Sequence, residues 1–381
     1  MSQINPPFRA DQVGSLLRPP QLLAAREQFF NGEISAQALR EVEDEAIAGV
    51  IKKQEGVGLN SVTDGEFRRT YFHVDFLEQL EGVTVSGGIA VKFHTKEGEV
   101  DFAPPRLSVT GKLRHVKDIQ RRDFEFLQAH TTCTPKVTIP SPTMVHFRGG
   151  RKAIDIHAYP NLDEFFEDLA QCYREEIDSL YQAGARYIQM DDTNLAYLCD
   201  PKIREDARGR GEDPDELPRT YAALINSVID GRPEDLTITV HLCRGNFRSS
   251  WVAEGSYEPV AEILFNEMNV DAYFLEYDDE RSGDFAPLRF VPADKTVVLG
   301  LVSTKRRRLE DMEALETRIR EAARHHPLER LAVSPQCGFS TSVLGSSLGP
   351  DEQAAKLRLV VVAAERVWGS AGGGEATLAG E

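Results

Sequence analysis

Through the second half of the chain one phrase recurs: a short aliphatic and β-branched run, a polar cluster, then a stretch in which apolar residues return every three or four positions. The clearest runs are YIQMDD (187–192), TITVHLC (237–243), AYFLEYDD (272–279), VVLGLVS (297–303) and LAVSPQC (331–337). Continuous apolar character of this kind suits parallel strands covered on both faces. QVGSLL (12–17), NSVTDGE (60–66) and KVTIPSP (136–142) bring the set to eight. Between them, LLAAREQFF, AQALREVEDEAIAGVIKKQE, DEFFEDLAQCYREEIDSLYQAG, VAEILFNEM and LEDMEALETRIREAARH carry helical periodicity. Eight strand-then-helix units predict an α/β fold, a single (β/α)8 TIM barrel over residues 1–369.

One interval breaks the rhythm. Residues 83–113 alternate and are rich in Gly and Thr, with KEGE as a turn, which predicts an antiparallel β insertion between the second and third barrel strands. A last helix, DEQAAKLRLVVVAAERVWG, precedes residues 370–381, whose low apolar content predicts a disordered tail.

Composition narrows the function. The 44 Lys and Arg against 61 Asp and Glu give a formal net charge of -17, which repels nucleic-acid backbones and anionic membranes and leaves small ligands as partners. With no signal-peptide core at the amino terminus and no apolar run long enough to span a bilayer, a cytoplasmic protein is expected. The five cysteines, at 133, 172, 199, 243 and 337, are scattered and odd in number, which argues against a disulfide framework.

Barrel enzymes carry their chemistry at the carboxyl ends of the strands. His241 and Cys243, two apart on one strand, point to the same side. Alone, the pair reads more readily as a satisfied core histidine and a small buried hydrophobe than as metal ligands. Glu276 in FLEYDD and Cys337 in SPQCGF end neighbouring runs, and imidazole, two thiolates and a carboxylate make a four-donor zinc set. Glu276 is equally placed to support the metal from outside its first ring of ligands. Thiolate-rich zinc is suited to holding a substrate thiol in its deprotonated form, which predicts alkyl transfer to sulfur.

VGSLLRP, TDGE, IQMDD, HLCRGN, the Glu of FLEYDD and SPQCGF resemble, in that order, the catalytic half of cobalamin-independent methionine synthase, and in particular its short single-barrel relatives, over about residues 9–368. The resemblance implies zinc bound by His241, Cys243, Glu276 and Cys337, homocysteine as methyl acceptor and methyltetrahydrofolate as donor. It implies that Ser15, Glu66 and Asp191 hold the amino-acid substrate. Physically, two carboxylates suit an ammonium group and Ser15 can donate to a carboxylate. The competing roles are loop capping for Asp191 and pairing with Arg68 or Arg69 for Glu66.

The sequence departs from the family in three places. It reads DDT where DEP is typical, Ser303 stands near the His of an IHS motif, and SPTMVHFRGG lacks the Trp on which the pterin stacks, leaving His146 or Phe147 to offer a flat surface. Two other functions therefore stay open: an epoxide:coenzyme M transferase, also zinc-dependent, and a non-catalytic zinc-binding barrel. The basic run Lys305–Arg308 is either an anion-binding feature or a helix-start surface patch.

Overall fold

Six apolar runs become one parallel sheet in the computed structural model, which describes residues 6–88, 91–95, 98–103 and 105–372. In chain order the strands are β1 (Ser61–Val62), β2 (Glu81–Ser86), β3 (Val91–Thr95), β4 (Gly98–Phe102), β5 (Arg106–Arg114), β6 (Thr134–Pro135), β7 (Val137–Pro140), β8 (Tyr187–Asp192), β9 (Thr237–Leu242), β10 (Ala272–Glu276), β11 (Thr296–Val302) and β12 (Leu331–Pro335). The sheet runs from β7 to β12 with every strand beside its chain neighbour. Every residue of β7, β8, β10 and β12 is buried, which is why these strands read as continuous apolar runs. The architecture is TIM-barrel-like.

The helices begin and end where their sequences permit. Helix Ala36–Val57 starts at Ser35, whose hydroxyl accepts from Ala38 N at 3.2 Å, and stops at Gly58 with φ +96°. Helix Leu162–Gln182 buries Phe165, Leu169, Cys172, Tyr173, Ile177 and Leu180, a stripe at helical spacing. Helices at Arg121–Ala129 and Leu217–Ile229 are additional to the expected set. The first buries only Phe124 and Leu127, too few to set a pattern, whereas the second carries a full stripe through Tyr221, Leu224, Ile225 and Val228.

The first expected strand is shifted. Ala10 pairs in parallel with Val333 of β12, Asp11 N donates to Val333 O at 3.1 Å, and Val333 N donates to Arg9 O at 2.9 Å, so the pairing lies upstream of 12–17. Gly14 has φ +149°, and a Cβ there would meet Thr138 Cγ2 at 2.6 Å, so the chain turns at a residue only glycine can fill. On its other side the segment meets the loop after β1: Thr63 Oγ1 donates to Gly14 O at 2.7 Å and Leu16 N to Gly65 O at 3.0 Å. β1 in turn pairs with β6 in parallel.

On one face of the sheet, Val13, Tyr187, Phe274, Val298 and Ala332 form a small apolar cluster separate from the main core. Beside it Lys136, fully buried, approaches Asp11 Oδ1 at 3.2 Å and Gln12 O at 2.5 Å, with its ammonium 4.1 Å from the centre of the Phe274 ring. Asp11 also accepts from Ser61 Oγ and Tyr187 OH, both at 2.8 Å. One carboxylate thus joins the first segment to β1, β8 and the residue that precedes β7.

Between β1 and β6, β2 pairs antiparallel with β5, and β3 with β4. Lys96 and Glu97 of the expected KEGE turn lie outside the described residues. β3 reaches the loop after β9, where His94 N donates to Trp251 O and Trp251 N to His94 O at 3.1 Å. Of the expected disordered tail, Ser370–Gly372 is described, with Ala371 buried and accepting from Ala10 N at 3.0 Å; residues 373–381 lie outside the described set. Among the described residues no helix is long and apolar enough to cross a membrane.

Candidate metal centre and substrate cleft

His241 lies near the end of β9, and Cys243 follows the strand by one residue, with Cys243 N donating to Asp192 O at 3.0 Å. Cys337 stands two residues beyond β12, where Gln336 N donates to Val302 O at 2.9 Å. These two anchors bring Cys243 Sγ and Cys337 Sγ to 3.1 Å across 94 residues of chain. The ligand atoms of His241, Cys243 and Cys337 all lie within 4.8 Å of one another, and all three residues are buried. Asn246 fixes the approach from the side, since its Nδ2 donates to Gly338 O at 2.8 Å and to Thr304 Oγ1 at 2.9 Å.

The donor set has the electrostatics of a metal site. The hydrogen bond with Cys337 and the neighbouring His241 lower the Cys243 thiol to about 6 against the opposing effect of burial. That same bond, with burial, pushes Cys337 well up, so the pair shares one proton at neutral pH. Burial lowers the His241 imidazolium, but Cys243, Asp191 and Glu276 more than offset it. Neither His241 ring nitrogen has a hydrogen-bond partner although both are shielded from water. Orphaned buried nitrogens beside a thiolate are what a borderline-soft cation completes.

Glu276 ends β10 but stands outside this three-residue group. Its Oε2 accepts from Arg244 N at 2.8 Å, and its Oε1 faces Lys305 Nζ at 3.2 Å and Arg281 Nη2 at 3.4 Å. Burial raises its carboxyl, yet Lys305, Arg281 and Arg244 outweigh it and hold the group below its ordinary value. Lys305 is therefore an internal counterion and not part of a free basic patch. Arg307 is likewise engaged, donating from Nε to Ser347 O at 2.8 Å.

Ser15, Glu66 and Asp191 share one cleft with His241, Cys243 and Cys337, and the cleft opens to solvent. Glu66 follows Gly65 in a left-handed turn, the two residues at φ +58° and +68° respectively. Its Oε1 accepts from Thr138 Oγ1 at 2.9 Å and lies 3.7 Å from Arg69 Nη1, while Oε2 is shielded and unpartnered. The pairing with Arg69 thus satisfies one oxygen only. Asp191, at the end of β8, accepts from Gln189 Nε2 at 2.7 Å. Burial raises both carboxyls, Asp191 to about 7 despite His241 nearby, because neither has a full counterion. Asp192, in contrast, caps its loop by accepting from Thr143 Oγ1 and Leu195 N.

Tyr71, Phe72, Phe93, Tyr197 and Phe247 also line the cleft and give it an aromatic wall. Phe93 of β3 meets Phe247 with ring centres 5.1 Å apart. His146 and Phe147 do not serve as the flat surface. His146 is buried behind the cleft with Nδ1 2.9 Å from Tyr221 OH, and Phe147 packs on Tyr197 and Tyr221. Ser303 is also absent from the lining; its N donates to Glu310 Oε1 at 3.0 Å.

Sequence reasoning missed the supports. Arg18 is buried and donates to the carbonyls of Glu66, Arg69, Ser340 and Ser342 at 2.7 to 3.1 Å, tying together the loops that carry Glu66 and Cys337. Arg244 is fully buried over the Tyr257 ring and donates to Glu276 O and Gly255 O. Both lie inside the quoted motifs VGSLLRP and HLCRGN, so the signal was a charged residue embedded in a strand-end motif.

Residues 8–366 match the family described as cobalamin-independent synthase, catalytic domain. The chain belongs to that family. The Bacillus subtilis (strain 168) protein YxjH, itself uncharacterized, is 46% identical over 365 residues, covering 95% of each chain. A Listeria monocytogenes structure, described as a candidate vitamin-B12 independent methionine synthase, superposes with a TM-score of 0.76 at 38% identity, covering 97% of this chain and all of its own. The fold also matches a Shewanella B12-independent methionine synthase in complex with selenomethionine, with a TM-score of 0.71 at 21% identity over 95% of this chain and 98% of that one.

One contact in this cobalamin-independent synthase domain yields a direct prediction. A Cβ on Gly338 would lie 2.0 Å from Ser15 Oγ and 3.1 Å from its Cβ. Gly338→Ala should therefore displace Ser15 and lower stability by about 1–3 kcal/mol, the usual range for overpacking. Denaturation midpoints and thiol-substrate KM measure the two effects; a variant unchanged in both would show that the contact relaxes freely.

Proposed function

We propose that the protein is a zinc-dependent methyltransferase that moves a methyl group from 5-methyltetrahydrofolate, or a related small donor, to the thiol of homocysteine, forming methionine. The observation that carries this reading is the sharing of one cleft by a His, Cys, Cys donor group and two buried carboxyls without full counterions. An acceptor with both a thiol and an ammonium group answers both halves at once.

Glu66 and Asp191 would take the ammonium, whose charge stabilises their ionised forms, while Ser15 donates to the carboxylate of the same substrate. That grip leaves the substrate sulfur directed toward His241, Cys243 and Cys337. Zinc held by these three residues, with Glu276 as fourth ligand or outer support, would keep the acceptor thiol deprotonated at neutral pH. The aromatic wall excludes water and orients the donor so that the S–CH3 bond forms in line as the donor's N–CH3 bond breaks. The electron pair of the broken bond stays on the donor nitrogen, which is then protonated.

The same reading takes residues 1–369 as one cytoplasmic domain, an eight-stranded barrel closed by the first segment between β12 and β1, with residues 83–113 inserted. The hydrogen bonds of Arg9 and Asp11 to Val333 support the closure. A sulfonate-bearing acceptor such as coenzyme M is disfavoured by Glu66 and Asp191, whose charge would repel it.

The test is a product assay. Zinc-loaded protein, homocysteine and a panel of methyl donors should yield methionine, read by mass, with methyltetrahydrofolate in the panel. If no donor yields methionine and coenzyme M with an epoxide yields a thioether, the proposal fails in favour of the second zinc-thiol chemistry.

A further inference from the structure

Glu276 is wholly buried, and its backbone is fixed on both sides: its N donates to Tyr257 OH at 3.0 Å and its carbonyl accepts from Arg244 Nη1 at 3.1 Å. Its carboxylate has little more freedom. Oε2 accepts from Arg244 N, the amide that follows Cys243, and Oε1 faces two cations from different loops. Those cations are not equivalent. Arg281 is divided among Glu276, Asp278 and Asp279, and its guanidinium also lies 4.5 Å from the centre of the Trp251 ring. Lys305, in the loop after β11, has Glu276 Oε1 as the one hydrogen-bond acceptor of its Nζ among the described residues, at 3.2 Å, and its side chain is only 4% exposed.

A buried ammonium and a buried carboxylate are each costly alone, so Lys305 and Glu276 hold one another in place. The consequence for the metal centre is one of charge. Cys243 and Cys337 as thiolates bring two negative charges, which a divalent cation balances, and a neutral His241 adds none. An unpaired Glu276 would bring a third and oppose the arrival of a substrate thiolate, since charges interact strongly where water is excluded. Lys305 cancels that third charge at its source.

We propose that Lys305 is a positioning residue for the metal centre: by pairing with Glu276 it keeps that carboxylate a compensated outer group. His241, Cys243 and Cys337 are then the protein's whole donor set, and the fourth position is left to the substrate thiol. The inference rests on the proposed zinc-thiol chemistry and chooses between the two roles open to Glu276 within it.

A double-mutant cycle on the full chain tests this, read by chelator competition for zinc and by visible absorption at saturating cobalt, whose bands respond to the donor set. Lys305→Met should raise zinc affinity roughly 10- to 100-fold, the scale on which outer partners tune a metal site, because the freed carboxylate turns to the cation. Its cobalt spectrum should change with it. A lysine that only filled space would lower affinity or leave it alone. Glu276→Gln by itself should leave the wild-type cobalt spectrum in place, and this variant decides the question even if Lys305→Met fails to fold. The double variant, neutral at both positions, should return to the wild-type spectrum and affinity. Four results overturn the proposal: a spectrum altered by Glu276→Gln alone, an affinity unchanged or lowered in a folded Lys305→Met protein, a gain in affinity with no change of spectrum, or a double variant that still behaves as Lys305→Met. In turnover, Lys305→Met should raise KM for homocysteine more than it lowers kcat, since the carboxylate then competes with the thiol. If the cycle holds and no donor yields methionine, the transfer reading falls and the positioning role stands. Methionine formed by a protein whose cobalt spectrum changes with Glu276→Gln alone does the reverse.

Discussion

Replacing Cys337 with serine is expected to empty the metal centre and abolish methyl transfer in the same protein. Cys337 Sγ is 3.1 Å from Cys243 Sγ, and its bond is the leading cause of the lowered Cys243 thiol, so the substitution removes one soft donor and makes the second a poorer one. A serine oxygen is harder and stays protonated, leaving His241 and one thiol as the set. Losing an outer partner of a metal ligand reduces affinity or activity roughly 10- to 100-fold, and losing a ligand itself should exceed that range. Zinc per chain and methionine formed per minute, measured on one preparation, check it. A Cys337→Ser protein with full zinc and full turnover would remove the mechanism's foundation.

The largest effect on stability is expected from Asp11→Ala. Its carboxylate accepts from Gln12 N, Ser61 Oγ, Tyr187 OH and Lys136 Nζ, all within the interior of the strands. Without it, Lys136 keeps Gln12 O and two aromatic faces but no counterion. Breaking a buried ion pair on one side costs about 3–5 kcal/mol, whereas replacing both partners with apolar groups is often neutral or stabilising. Chemical denaturation should therefore show a large loss for Asp11→Ala and substantial recovery for Asp11→Ala with Lys136→Met. A single variant within about 1 kcal/mol of wild type, where ordinary surface substitutions fall, would contradict the role.

The pattern of apolar runs was reliable wherever strands are covered on both faces. YIQMDD coincides with β8, and the expected runs at 237–243 and 331–337 contain β9 and β12. It was less reliable where hydrogen bonds to side chains replace a regular ladder. In residues 12–17 the chain is held by Thr63 Oγ1, Gln353 Oε1 and a turn at Gly14, so apolar residues there do not mark a strand. For the site, the donor types were readable because His, Cys and Cys fall at strand ends, where a barrel gathers side chains. The role of Lys305 was not, since a basic run looks the same whether its first member faces water or Glu276.

The sequence by itself determined the strand and helix order in the second half of the chain, the strand ends at which metal-binding donors stand, and the family. The tertiary structure alone decided which of those residues meet. The 3.1 Å sulfur contact depends on the register of six strands and on Asn246 bonding Gly338, and Glu276 is drawn toward Lys305 and Arg281 by charges from two later loops. Local periodicity encodes which face of an element is apolar. Distances between loop side chains arise from the sum of every turn and packing contact between them, and no short stretch of sequence carries that sum.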